Sequence, residues 1–113
     1  MLHGKKHWLY HRFSAILLLP LLLWLIFSLS FLSDISYESM ILWLSKTTNY
    51  ILLFVLIIIS VRHFQLGIQV ILEDYVSDKN SRDFYIKLVN LVYFLLAIFG
   101  LFSITKIYFG VVI

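Results

Sequence analysis

The sequence predicts an all-α integral membrane protein with three transmembrane helices. Three observations carry this. The chain is 62% hydrophobic and 13% charged, against roughly a quarter charged in soluble domains. It holds three apolar runs of the roughly 20 residues needed to cross a bilayer core. The segments between them are short and hold most of the charge. Lipid offers the backbone no hydrogen bonds, so spanning segments of this length must be helices. With 113 residues, the whole of 1–113 forms one membrane-anchor domain. No cysteine is present, which excludes disulfides, thiolate metal sites and a cysteine nucleophile. The net charge of +3 is small. The expected surroundings are a lipid bilayer, with no nucleic acid.

The first span covers 13–32, FSAILLLPLLLWLIFSLSFL, which carries no charge. Lys5 and Lys6 before it resemble the start of a signal peptide. The apolar stretch is too long for one, however, and no small-residue cleavage site follows, so it is expected to be a retained span. Pro20 removes a backbone donor and is expected to bend the helix. Ser14 and Ala15 are small enough for a neighbouring helix to approach closely. The second span, 50–72, contains Arg62 and His63. The third, 88–112, is interrupted by Lys106 near its end. The remaining stretches are expected to be connections, the first over 33–49. Lys5, Lys6 and Arg12 precede the first span, and Lys79, Arg82 and Lys87 fall after the second, whereas the first loop has Lys46 alone. The positive-inside rule therefore puts the N-terminus and the second loop on the cytoplasmic or matrix side. Trp8, Tyr10, Trp24, Trp43 and Tyr75 include residues near the span ends, as in an aromatic belt.

RHFQLGIQVILEDYV, from Arg62 to Val76, is the most informative stretch. His63 lies about 14 Å along the axis from the end of its span, at about 1.5 Å per residue. An ionisable group at such depth usually faces the bundle interior and marks a function. Its imidazole can be satisfied by a neighbouring helix or by an iron centre. Gly67, at i+4, lies one turn further along the same face, where a glycine leaves room for a flat ring. Asp74 is eleven residues beyond His63, and at about 100° per residue it returns to nearly the same face, roughly 16 Å further along. One face thus offers a metal-capable imidazole and then, at the membrane–water boundary, a carboxylate beside the phenol of Tyr75. The plain alternative for Glu73, Asp74 and Tyr75 is a solvated helix end.

HGKKHWLYHRFSA precedes the first span. The spacing of His7 and His11 puts two imidazoles on one helical turn, yet no carboxylate or thiolate accompanies them and the lysines nearby disfavour a divalent ion. Phospholipid head groups are the default contact for this basic segment. The alternative is that Arg12 or His7 pairs with a buried anion, such as a haem propionate.

Two segments together resemble the hydrophobic membrane anchor subunits of succinate dehydrogenase, respiratory complex II, and in particular the small D or fourth subunit. The first is H-W-x-x-x-R-x-[ST]-A followed by proline and tryptophan, here His7, Trp8, Arg12, Ser14, Ala15, Pro20 and Trp24. The second is H-x-x-x-G-x-x-V-[IL]-x-[DE]-D-Y-V, here His63, Gly67, Val70, Ile71, Asp74, Tyr75 and Val76. The second is the more specific, and the likeness covers most of the chain.

The resemblance implies a non-catalytic anchor that packs with a second three-helix anchor subunit, of the cytochrome b556 type. The two would share a haem b between one histidine from each, which makes His63 the expected axial ligand. Tyr75 would donate a hydrogen bond to a ubiquinone carbonyl, Asp74 would order that site, and Arg12 would lie near the haem propionates or the quinone pocket. A flavoprotein subunit would oxidise succinate and an iron–sulfur subunit would carry the electrons inward. The membrane would be a bacterial inner membrane or the mitochondrial inner membrane. A haem-free structural tether, or the anchor of a fumarate reductase, are the alternatives. One membrane histidine cannot supply both axial ligands, so an independent haem protein would need a partner or a second copy. Arg62 has no place in the family pattern: it pairs with a propionate or a partner's acid, or it snorkels.

Overall fold

The computed structural model describes the backbone of residues 2–112 and the side chains of residue 6 and residues 8–110. Four helices follow in order: α1 (Leu2–Ser30), α2 (Tyr37–Ser45), α3 (Thr47–Tyr75) and α4 (Lys79–Val112). The described chain contains no strand. Three helices, over Trp8–Ser30, Thr47–Tyr75 and Lys79–Gly110, are long and apolar enough to cross a membrane, as the composition predicts. The molecule measures 51 × 24 × 21 Å, so its long axis exceeds the roughly 30 Å hydrocarbon core. Most helix ends run past the apolar runs, because intrahelical bonding continues into polar sequence. α4 starts nine residues before the expected 88, whereas α1 ends at Ser30, two short of 32. α1 continues through Pro20.

α3 is the central helix. It packs on α1 along one side and on α4 along another, while the α1 and α4 backbones do not meet. Lipid is as apolar as leucine, so there is little hydrophobic reason for the helices to close into a tight core. Phe13, Phe27, Phe94, Phe99 and Phe102 are accordingly exposed on the outside.

The 33–49 connection is not all loop. Residues 37–45 fold as α2 and 47–49 begin α3, a correction to the reading of this segment as plain connection. Ser36 caps it, its hydroxyl accepting from the Ser39 N–H at 3.1 Å, and the Ser39 hydroxyl bonds the Asp34 carboxylate. Glu38 in the first turn suits the positive end of the helix dipole. Once formed, α2 delivers Trp43 and Leu44, 6% and 7% exposed, against Ile104 of α4. Trp43 donates from Nε1 to the Ser28 hydroxyl of α1 at 2.8 Å, and its ring lies 5.7 Å from that of Trp24. Trp43, one of the aromatic residues grouped with the belt, is thus buried in the packed cluster. Lys46 alone separates α2 from α3, and Asn49 reaches back from Nδ2 to the Trp43 carbonyl at 2.9 Å. Nearby, Tyr50 stacks on Tyr108 with centroids 4.2 Å apart, and its hydroxyl pairs with Thr105 at 2.8 Å.

At the opposite end, α3 passes to α4 through three residues, 76–78. Asp78 caps α4: its carboxylate accepts from the Ser81 N–H at 3.2 Å and from the Ser81 hydroxyl at 2.7 Å, and its carbonyl accepts from the Arg82 N–H at 2.9 Å. The Ser81 hydroxyl, the Ser81 N–H and the Arg82 charge hold the Asp78 carboxyl below its ordinary pKa. A lowered folded pKa means that the cap is fully present above the unfolded value and lost as pH falls through the folded one. Hydrogen exchange at the Ser81 and Arg82 amides, corrected for intrinsic rates, is expected to show constant protection near neutral pH. Protection is expected to drop on the acid side of the ordinary carboxylate range. The wild-type acid transition should be missing in Asp78→Ala.

Candidate functional site: an imidazole between two helices

The site forms where the first half of α1 crosses the second half of α3. Ser14 of α1 is 7% exposed and bonds two ways. Its hydroxyl donates to the His11 carbonyl one turn earlier at 2.7 Å and lies 3.0 Å from Nδ1 of His63. A serine bonding its own helix in this way is common in apolar helices, and here it aims the hydroxyl at the neighbour. His11 adds a second contact, because its ring lies flat on that of His63 with centroids 4.3 Å apart and planes within 8°. Beside it Leu66, 1% exposed, is the most deeply buried side chain described.

Gly67 leaves space beside it, and the His11 ring stands next to it. A Cβ placed on Gly67 would stand 3.3 Å from Nε2 of His11. The flat group accommodated beside the glycine is thus the imidazole of α1. In front of these rings runs a groove of about 630 Å³, mainly apolar, walled by Trp8 and His11 on α1 and by residues from His63 to Asp74 on α3, Phe64, Ile68 and Ile71 among them. The structure therefore brings His63, Gly67 and Asp74 to one groove, as the helix phase predicts. Tyr75, the last residue of α3, is 83% exposed and is not part of the groove wall. Arg12 is exposed and stands over the Trp8 ring, 5.2 Å from its centroid, which ties it to the rim. The His7 side chain lies outside the described residues, so the His7–His11 spacing is not tested.

Two features escaped the sequence. The first is the alliance of Ser14 and His11 with His63. Only their small or polar character in an apolar entrance signals it, since the partner is 49 positions away. The second explains Arg62. Its guanidinium donates to Gln65 at 3.1 Å, and Gln65 donates in turn to Asn90 of α4 at 2.7 Å. Arg62 thus ends a polar chain that links α3 to α4, with no carboxylate of the described residues paired to it. Ala15, in contrast with Ser14, is exposed.

The described residues contain no group of three or more histidine, cysteine, aspartate or glutamate side chains able to enclose a metal ion. His63 can give a metal one nitrogen. Among the described residues its Nε2 has no hydrogen-bond partner, since the bond it makes is at Nδ1. An apolar groove and one unengaged imidazole nitrogen fit one half of a bis-histidine haem site.

Fold and site together define a class: a small multi-pass membrane subunit with a histidine of one helix held against a serine and a histidine of another. The chain belongs to the succinate dehydrogenase/fumarate reductase transmembrane subunit family, whose model matches residues 2–103. Over 103 residues it is 34% identical to the succinate dehydrogenase hydrophobic membrane anchor subunit of Rickettsia bellii, covering 85% of this chain and 82% of that protein. It is 33% identical over 92 residues to the succinate dehydrogenase membrane anchor subunit of Reclinomonas americana, covering 79% and 77%. With the Rickettsia felis hydrophobic membrane anchor subunit it shares 32% identity over 108 residues, covering 95% and 88%. No solved structure matches significantly. The expected role as a non-catalytic anchor subunit agrees with the names of these relatives.

The contact at Gly67 is tight but movable. Gly67→Ala gains about 1 kcal/mol of helix propensity and asks the His11 ring to shift a few tenths of an ångström. Its stability in detergent is therefore expected within about 1 kcal/mol of wild type, whereas Gly67→Leu should lose about 1–3 kcal/mol by overpacking. Thermal unfolding followed by circular dichroism measures both.

Proposed function

We propose that this chain is the membrane-anchoring subunit of a succinate:ubiquinone oxidoreductase, in which it helps to hold a haem b and to form the ubiquinone-reduction site. The observation that carries the haem reading is His63, an imidazole within a span long and apolar enough to cross a membrane, whose Nε2 has no hydrogen-bond partner among the described residues. The relatives' names support the anchor role. His63 would give one axial nitrogen, and a second three-helix anchor subunit the other. When bound, the haem supplies one-electron chemistry at a potential that its axial ligands set.

The remaining roles follow from position. Tyr75 ends α3 and is open to the surroundings, so its phenol can donate to a quinone carbonyl and stabilise the charge that develops on reduction. Asp74, next to it on the groove wall, can order water and pass protons from the aqueous side. Arg12, held over Trp8 at the groove rim, offers a cation to a propionate or to the quinone pocket. Iron–sulfur and flavoprotein subunits would dock at this end, on the cytoplasmic or matrix side of a bacterial or mitochondrial inner membrane. That orientation rests on the excess of Lys and Arg at the α1 start and around 79–87.

A haem-free tether is the second reading. It is favoured by the fact that His63 already has Ser14 and His11 as partners. A fumarate-reducing anchor would use the same parts with electrons flowing the other way.

A reduced-minus-oxidised visible spectrum of the assembled complex separates these readings. A b-type band is expected in wild type and should disappear in His63→Ala. An unchanged spectrum in the variant, or no band in wild type, leaves the tether. For the quinone site, Tyr75→Phe is expected to lower succinate-to-quinone turnover by on the order of 10²-fold, the usual effect of losing one donor to developing charge. Succinate oxidation with an artificial dye and the haem band should both stay at wild-type levels.

A further inference from the structure

Proton accounting at Ser14 leads beyond the assignment of His63. A serine hydroxyl has one proton to give and two lone pairs to receive with. The His11 carbonyl can only accept, and it stands 2.7 Å from the Ser14 hydroxyl, the usual O–H···O separation. That contact uses the proton. The contact with His63 Nδ1 is 3.0 Å, the usual N–H···O separation, and it then needs Nδ1–H as donor and the Ser14 oxygen as acceptor. A neutral imidazole carrying its proton on Nδ1 has its lone pair on Nε2.

We infer that Ser14 is a positioning residue: by accepting from Nδ1–H it fixes the His63 tautomer and makes Nε2 the nitrogen that ligates haem iron. This rests on the haem reading of His63 given above. The face-to-face ring of His11 supports the same task, since stacking within 8° sets the plane of the imidazole while the hydrogen bond sets its rotation in that plane. Both restraints come from one turn of α1, because Ser14 bonds the carbonyl of the very residue that stacks. The bond is also shielded, since Ser14 is 7% exposed and lies within a membrane span. A hydrogen bond from the far nitrogen raises the basicity of a ligating imidazole. Greater basicity favours ferric over ferrous iron and lowers the potential.

The test is a redox titration of the haem band, with low-temperature electron paramagnetic resonance, on the assembled complex in native membranes. Wild type is compared with Ser14→Ala, Ser14→Thr, Ser14→Val and His63→Ala. Ser14→Ala is expected to retain the band, with its midpoint potential shifted upward and its ferric resonance displaced. Ser14→Thr keeps the hydroxyl and is expected to restore both, whereas Ser14→Val, of the same shape as threonine without the hydroxyl, should behave as alanine does. If Ser14→Ala does not assemble, the threonine–valine pair is decisive: equal potentials and resonances would overturn the inference. Wild-type values in Ser14→Ala, with the band lost in His63→Ala, would also overturn it and reduce Ser14 to packing while the haem reading stands. A band that survives His63→Ala unchanged would remove the haem reading and this inference with it.

Discussion

Polar groups inside a bilayer have no water to turn to, and the arrangement of this protein follows from where each one finds its partner. The backbone answers with helices. The side chains answer with pairs that cross from one helix to another: Ser14 with His63, Ser28 with Trp43, Thr47 with Tyr108, Tyr50 with Thr105 and Gln65 with Asn90. Among the described residues no buried side-chain nitrogen or oxygen lacks a partner. Each such bond contributes modestly, about 0.6–2 kcal/mol. Apolar faces slide past one another in lipid at little cost, so these bonds set the rotation and register of the helices.

The two ends of the molecule use this constraint differently. At the Trp43 end, α2 closes the space between α1, α3 and α4, and indole, phenol and leucine side chains form a packed cluster. At the Asp74 end the described residues form no such plug. There α1 and α3 part into a groove whose walls include a half-buried imidazole and a carboxylate. Close packing is concentrated at one end and accessibility at the other, and α3 runs through both, packed on α1 and on α4. The groove residues are held from behind by Leu66 and Ser14, which are buried, so the imidazole keeps its aim although its surroundings are open.

Arg62 shows how the same chemistry reaches a charge. The sequence presents it as an anomaly, a guanidinium next to the candidate ligand. In the fold its neighbour His63 turns toward α1, while Arg62 bonds Gln65 and through it Asn90 on α4. Adjacent residues on a helix point about 100° apart, which separates the cation from the imidazole and gives each its own helix to answer to.

Much of this was legible in the residues. Apolar run length determined the three crossings, since chain geometry and bilayer thickness leave no other solution. The helical period determined that His63, Gly67 and Asp74 share a face, and all three line one groove. A strong local signal was missing for α2, nine residues of mixed polarity that read as a loop until Trp43 finds Ser28. Nor could the period reveal which ring fills the space at Gly67, or that Ser14 receives His63. Those are contacts between residues dozens of positions apart, decided by how α1 is rotated against α3. In a solvent where apolar faces are nearly interchangeable, sequence by itself determined which segments cross and which residues share a face. Tertiary structure alone decided which faces meet, because that choice lies with a few polar pairs whose partners become neighbours only after the helices have packed.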